Sequence, residues 1–244
     1  MIKLIAALTM IIDHFAAFFL DPHTIICQIC RAIGRVSMPL FGYCIARGFY
    51  YSKKNNRIKK YAKNLLIFSL ISQIPVCFIP YGLHGYWTFK DLYLNIGFTW
   101  LVSLTMLTLA SYLEKSKEEL EFKNKILIIV AILGLIISSY FIRIEYGLYG
   151  VLFPIVFYYL LFQTESPLLC FVSTILIYSL YIIKEGESFF EPNSQIISIF
   201  SVFIIFLLQK KDAIIRLPKK FFYCFYPTQF VVFGLIKYFF FMKK

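Results

Sequence analysis

Long apolar runs separated by short polar interruptions dominate this chain. The runs fall at 2–20, 27–51, 61–80, 92–113, 125–142, 146–163, 167–183, 194–209 and 221–241. Each is near the length, about 20 residues, that a helix needs to cross the hydrocarbon core of a bilayer. The pattern predicts an all-α, polytopic integral membrane bundle of about nine transmembrane helices, eight or ten if short neighbours merge or divide. No polar stretch exceeds about a dozen residues, which leaves no room for a soluble domain. Residues 1–244 therefore read as a single transmembrane domain without an internal repeat.

Composition supports this reading. Hydrophobic residues make up 60% of the chain and charged residues only 16%, against about 25% charged in soluble domains. The first run is too long for a signal peptide, has only Lys3 as a basic flank and lacks a small-x-small cleavage site, so it reads as a retained first helix. The net charge is +12, and the basic residues sit in short runs between apolar segments: "SKKNNRIKK" (52–60), "EKSKEELEFKNK" (114–125) and "KKDAIIRLPKK" (210–220). Basic runs between apolar segments point to membrane topology and contact with anionic lipid, and away from nucleic acid. With the N-terminus cytoplasmic, the inner loops are 52–60, 114–124, 164–166 and 210–220. The outer loops 21–26, 81–91, 143–145 and 184–193 each carry at most one Lys or Arg. The terminal "MKK" is the one feature that nine spans leave on the wrong side. Six cysteines include the pair "CQIC" (27–30). Without a second such pair or a histidine cluster they read as small buried hydrophobes, and no metal is expected.

Against this background "TMIIDHFAAFF" (9–19) stands out, because it places Asp13 and His14 inside an apolar run. Ionisable groups are costly there and usually mark function. At about 1.5 Å per residue, His14 lies roughly 18 Å along the first helix from Ile2. Arg31 and Arg35, four residues apart on one face of the second helix, reach a similar depth from the opposite membrane face. A neutral imidazole in a dry cavity can act as a general base, and paired arginines suit a phosphate or carboxylate. Asp13, about 100° around the helix from His14, is poorly placed to orient it and better placed to pair with Arg31 or Arg35. A structural role, an acid–arginine pair holding two helices together, stands beside the functional one. Arg47 lies near a helix end, from which it can snorkel to the interface. "SQIP" (72–75) and "LNIGFTW" (94–100) put Gln73 and Asn95 near the outer ends of their helices, and Pro39 and Pro75 are potential kinks. "EYGLYGVL" (145–152) reads as a Gly-rich hinge. "FYCFYPTQF" (222–230), with Tyr226 and Gln229, opens an aromatic helix. His23 and His84 fall in outer loops as solvated surface.

In order, these segments are "KLIAALTMIIDHFAAFF", "RAIGRVSMPLFGYCIARGF", "KKYAKNLLIFSLISQIP", "LNIGFTWLVSLTMLTLASYLEK", "YGLYGVL" and "FYCFYPTQFVVFGLI". Together the series resembles the TraX family from about residue 3 to about 236 and, more distantly, the wider transmembrane acyltransferases. The most specific part is the "DH" followed by "R-x-x-GR-x-x-x-PLF" in consecutive helices. The resemblance implies a multi-pass enzyme of the bacterial inner membrane that moves an acetyl group from acetyl-CoA to a peptide N-terminus, glycan or lipid acceptor. It implies His14 as the base, with Asp13 beside it, Arg31 and Arg35 as contacts to the anionic donor, and Asn95, Gln73, Tyr226 and Gln229 as substrate or supporting residues. The chain departs from the family's usual pattern at Gln73 ("SEIP"), at Gln229 ("FYPxH") and at Arg47 ("EGF"). A small-solute or proton-coupled transporter, and a non-catalytic partner in conjugation or envelope assembly, are the competing functions.

Overall fold

The structure is a computed structural model that describes residues 1–77, 93–115, 120–185, 195–209 and 221–241. His84, the 81–91 loop, most of 184–193 and 210–220, and the terminal "MKK" lie outside the described residues. Among the described residues the chain is helical and contains no strand. The helices are α1 (Ile2–Phe19), α2 (Ile25–Gly34), α3 (Ser37–Lys54), α4 (Ile58–Cys77), α5 (Ile96–Lys115), α6 (Phe122–Phe141), α7 (Gly147–Phe157), α8 (Pro167–Glu185), α9 (Phe200–Leu208) and α10 (Phe221–Phe241). A π-helical turn, Tyr158–Gln163, prolongs α7, and a 3-10 turn, Gln195–Ile199, leads into α9.

Within the described residues each predicted apolar run is mainly helical, 27–51 as two helices. Four described segments are long and apolar enough to cross a membrane: Ile2–Phe19, Ile25–Lys54, Ile96–Glu114 and Phe122–Phe141. Three shorter apolar ones follow: Gly147–Gln163, Pro167–Ile182 and Gln195–Leu208. The predicted single helix 27–51 is divided at Arg35–Val36 into α2 and α3. Pro39 accounts for the division. It has no N–H to give the Arg35 carbonyl one turn earlier, and its ring crowds that carbonyl. At the junction the Arg35 N–H is shared between Arg31 O and Ala32 O, and the Val36 N–H turns to Ile33 O, three residues back. Thr24 starts α2 as a cap, its hydroxyl accepting from the Cys27 N–H at 3.3 Å. Pro75, Pro154 and Pro227 by contrast lie inside α4, α7 and α10, which run through them.

The centre of the bundle is formed by α1, α3, α5 and α7, with α4 and α10 against one side and α8 and α9 against the other. Phe49, Leu104, Phe153, Phe157, Tyr158 and Tyr178 are fully enclosed in that core. The periphery is α6, whose Leu127, Val130, Leu133 and Ile137 point outward. Such a face suits contact with lipid. Before α5 and α7 the chain makes a small parallel clip: Leu94 N–H donates to Arg143 O and Glu145 N–H to Leu94 O, both at 2.8 Å. Beyond it Tyr146 (φ 62°) and Gly147 (φ 51°) turn through the left-handed region into α7. The predicted hinge is thus a sharp corner that carries Glu145 into the bundle.

Candidate functional site

Met10, Asp13 and His14 of α1 face a narrow chamber closed by Gly34, by Ser37, Met38 and Phe41 of α3, by Ile96 and Trp100 of α5, by Glu145 and Tyr146, and by Tyr226 of α10. Its volume of about 30 Å³ leaves room for little more than a water molecule. Three side chains of its wall hold buried polar atoms that no described residue satisfies, Asp13 Oδ1, His14 Nδ1 and Trp100 Nε1, and Gln229, a neighbour of His14, holds two more. Native interiors leave few such atoms, because each costs about 1–3 kcal/mol. Their concentration at one place marks a site shaped for something that binds there.

Arg31 reaches back to α1, with Nη1 2.9 Å from Asp13 Oδ2 and 3.5 Å from the Asp13 carbonyl oxygen. It stands behind Asp13 and leaves Oδ1 to the chamber. This close passage of α2 over α1 requires Gly34, since a Cβ there would collide with Cβ and the carboxyl of Asp13. His14 is within electrostatic reach of Arg31. Its ring packs 4.6 Å from that of Phe230 and 6.5 Å from that of Tyr226. Gln229 is a polar neighbour of the imidazole that completes no well-formed hydrogen bond. Arg35, at the junction after α2, is within electrostatic reach of Asp13, Tyr146, Tyr149 and Tyr178. Neither arginine lines the chamber.

Gln73 and Asn95 serve a different purpose. Asn95 donates through Nδ2 to Ser69 O at 2.7 Å and to Gln73 Oε1 at 2.9 Å. Gln73 accepts from the Asn95 N–H and donates to Tyr93 O. This lattice fastens the start of α5 to α4 and lies outside the chamber wall. Arg47 stacks near the Tyr51 ring, 5.8 Å from its centroid, at the far end of α3. His23 is exposed in the turn before α2.

Glu145 was not singled out from the sequence. Its Oε2 accepts the Ile96 N–H at 2.8 Å, at the start of α5, and the Tyr226 hydroxyl at 3.0 Å. A helix N-terminus and a phenol are natural partners of a buried carboxyl. Glu145 lies in the loop between α6 and α7. Burial pushes its carboxyl up to about 7, against the downward pull of those two donors. The signal available in the sequence was an acid flanked by two apolar runs and followed at once by Tyr146-Gly147.

Two further cavities adjoin the chamber. One, of about 130 Å³, shares Met10, Phe41, Trp100 and Tyr226 with it and extends toward Lys3. The other, of about 620 Å³, shares Tyr146 and extends toward Arg143.

Among known proteins, residues 1–237 match the family described as "TraX protein". This chain belongs to the TraX family. A curated relative, the probable fimbrial assembly protein FimC, serogroup H1, of Dichelobacter nodosus, is 33% identical over 72 residues, or 30% of this chain. The aligned stretch spans 28% of that relative's length. No solved structure matches this TraX family member.

Proposed function

We propose that this TraX family member is an integral-membrane acetyltransferase. In this reading it moves an acetyl group from acetyl-CoA to an amine or hydroxyl, with His14 as the general base. The observation that carries the reading is the gathering of unsatisfied polar atoms of Asp13, His14 and Trp100 on the wall of one chamber, with Gln229 behind His14. The imidazole takes the proton of the acceptor as its nitrogen or oxygen attacks the thioester carbonyl. The C–S bond then breaks, and the proton passes from His14 to the departing thiolate. Asp13, fixed through Oδ2 by Arg31, offers Oδ1 to hold the attacking N–H or O–H. Trp100 Nε1 offers a donor to the carbonyl oxygen on which negative charge develops. The arginines, expected to grip the donor's phosphates, are given a positioning role behind Asp13.

The same reading includes an N-terminus in the cytoplasm, nine passes and residence in the bacterial inner membrane, supported by the basic loops at 52–60 and 210–220. It also includes placement among the wider transmembrane acyltransferases. The name of the fimbrial assembly relative favours an acceptor connected with a surface appendage.

Purified protein is incubated with labelled acetyl-CoA and candidate amines and hydroxyl compounds, wild type beside His14→Ala. Loss of a general base lowers the rate about 10²-fold or more. Equal transfer by both forms, or none by the wild type with any acceptor, rejects the reading.

A further inference from the structure

The cavity that shares Met10, Phe41, Trp100 and Tyr226 with the chamber has a single cation, Lys3, among its described lining residues. Its walls are mostly aromatic and aliphatic, and Lys3 stands among them at the far end of α1. Lys3, Met10 and His14 are spaced by seven and four residues, which places them on one face of α1. Eleven residues separate Lys3 from His14, about 16 Å along the helix. The Lys3 end is also a basic end of the bundle: Tyr61, a wall residue, lies in the first turn of α4 directly after Lys59 and Lys60.

On this geometry, and resting on the acetyltransferase reading, we infer that the Lys3 cavity is the donor's port. Lys3 holds a phosphate at its mouth, and a thin thioester-bearing arm runs along α1 to His14. The dimensions agree. The arm between the diphosphate and the sulfur of a coenzyme A thioester is built like a peptide of four to five extended residues, about 15 Å long. An apolar tube with a few polar atoms accepts such an arm, and the charged nucleotide stays outside at the basic surface. The anion site therefore lies one helix-length away from Arg31 and Arg35. Phe41 and Trp100 lie between port and chamber with ring centroids 5.7 Å apart, so their separation widens the passage when the arm enters.

The test uses the full chain in lipid nanodiscs, with acetyl-CoA and S-acetylpantetheine, which keeps the arm and lacks the nucleotide, as probes. Binding is measured for wild type, Lys3→Glu and Lys3→Arg, with the unfolding temperature of each recorded. Lys3→Glu is expected to weaken acetyl-CoA about tenfold or more, the contribution of one charge-assisted contact, and to leave S-acetylpantetheine unchanged. Lys3→Arg is expected to stay within about threefold of wild type, since it keeps the charge. Equal effects on both probes, or none on acetyl-CoA, overturn the port. Transfer activity separates the two ideas. Full transfer by Lys3→Glu with undiminished donor affinity discards the port alone. Lys3-dependent binding without transfer by the wild type discards the acetyltransferase alone, and no donor binding by the wild type discards both.

Discussion

Gly34 and Asp13 compete for one space. α2 crosses α1 so closely that any side chain at Gly34 displaces the Asp13 carboxyl, which is the group Arg31 holds from behind. The acid, the glycine and the arginine three residues before it are therefore one device, in which the absence of a Cβ sets how deeply Asp13 reaches into the chamber.

Gly34→Ala is the direct consequence. The clash involves Cβ of Asp13 and not the tip of a flexible chain, so α1 and α2 must part. Overpacking of this kind costs about 1–3 kcal/mol. A lowered unfolding temperature in detergent together with lost activity is expected. An unchanged unfolding temperature contradicts the packing described here.

Arg31→Met leaves the Asp13 carboxylate buried without its partner. Because Arg31 keeps 27% of its side-chain exposure, the cost is near the lower bound for a broken buried pair, about 3 kcal/mol. Adding Asp13→Asn removes the stranded charge, so the double variant should recover much of the stability but not the activity. Thermal unfolding of the two single variants and the double variant forms the cycle. Additive losses argue against a direct pair.

Asn95→Ala separates support from chemistry. Asn95 is fully buried and its amide bonds the Ser69 carbonyl and Gln73. Its removal strands these partners at about 1–3 kcal/mol. The unfolding temperature should fall, while the Michaelis constant for the donor at a temperature where the variant is folded should not move. A selective rise in that constant assigns Asn95 to the substrate.

Glu145 predicts a pH dependence of stability. Its carboxyl binds a proton more tightly in the fold, where burial raises it to about 7, than in the unfolded chain, near 4.5. The stability it contributes is full below about pH 4.5 and is lost as the pH rises through about 7. Unfolding temperatures from pH 5 to 8 should therefore decline more steeply for wild type than for Glu145→Gln. Parallel profiles refute the assignment.

Gln229→His places an imidazole beside His14, as in the family's usual "FYPxH". Gln229 has no bonded partner among the described residues, so the exchange strands no neighbour. If a second imidazole shares the proton with His14, the rate of acetyl transfer rises and its pH profile gains a second inflection. An unaltered profile leaves His14 as the sole imidazole in the reaction.

The helices and the candidate pair were legible along the chain because their signals are local. A run of about twenty apolar residues becomes a membrane-length helix whatever its neighbours, and an Asp–His pair within it is conspicuous for its cost alone. The all-helical architecture, the polar pair on α1 and the arginine-glycine motif on α2 follow from stretches of 10–30 residues read in isolation. The orientation of each helix about its axis is not local. It decided that Asp13 faces Arg31 while His14 faces Tyr226 and Phe230, that Gln73 and Asn95 brace α4 against α5 instead of facing the chamber, and that both arginines stand behind it. Glu145 enters through a clip between segments some fifty residues apart, held by bonds from Leu94 and Ile96 that no periodicity announces. Sequence by itself determined which elements form, since hydropathy and helix propensity act over a few turns. Only the tertiary structure decided which polar atoms share one cavity, because that depends on packing, on the break imposed by Pro39 and on the missing side chain of Gly34.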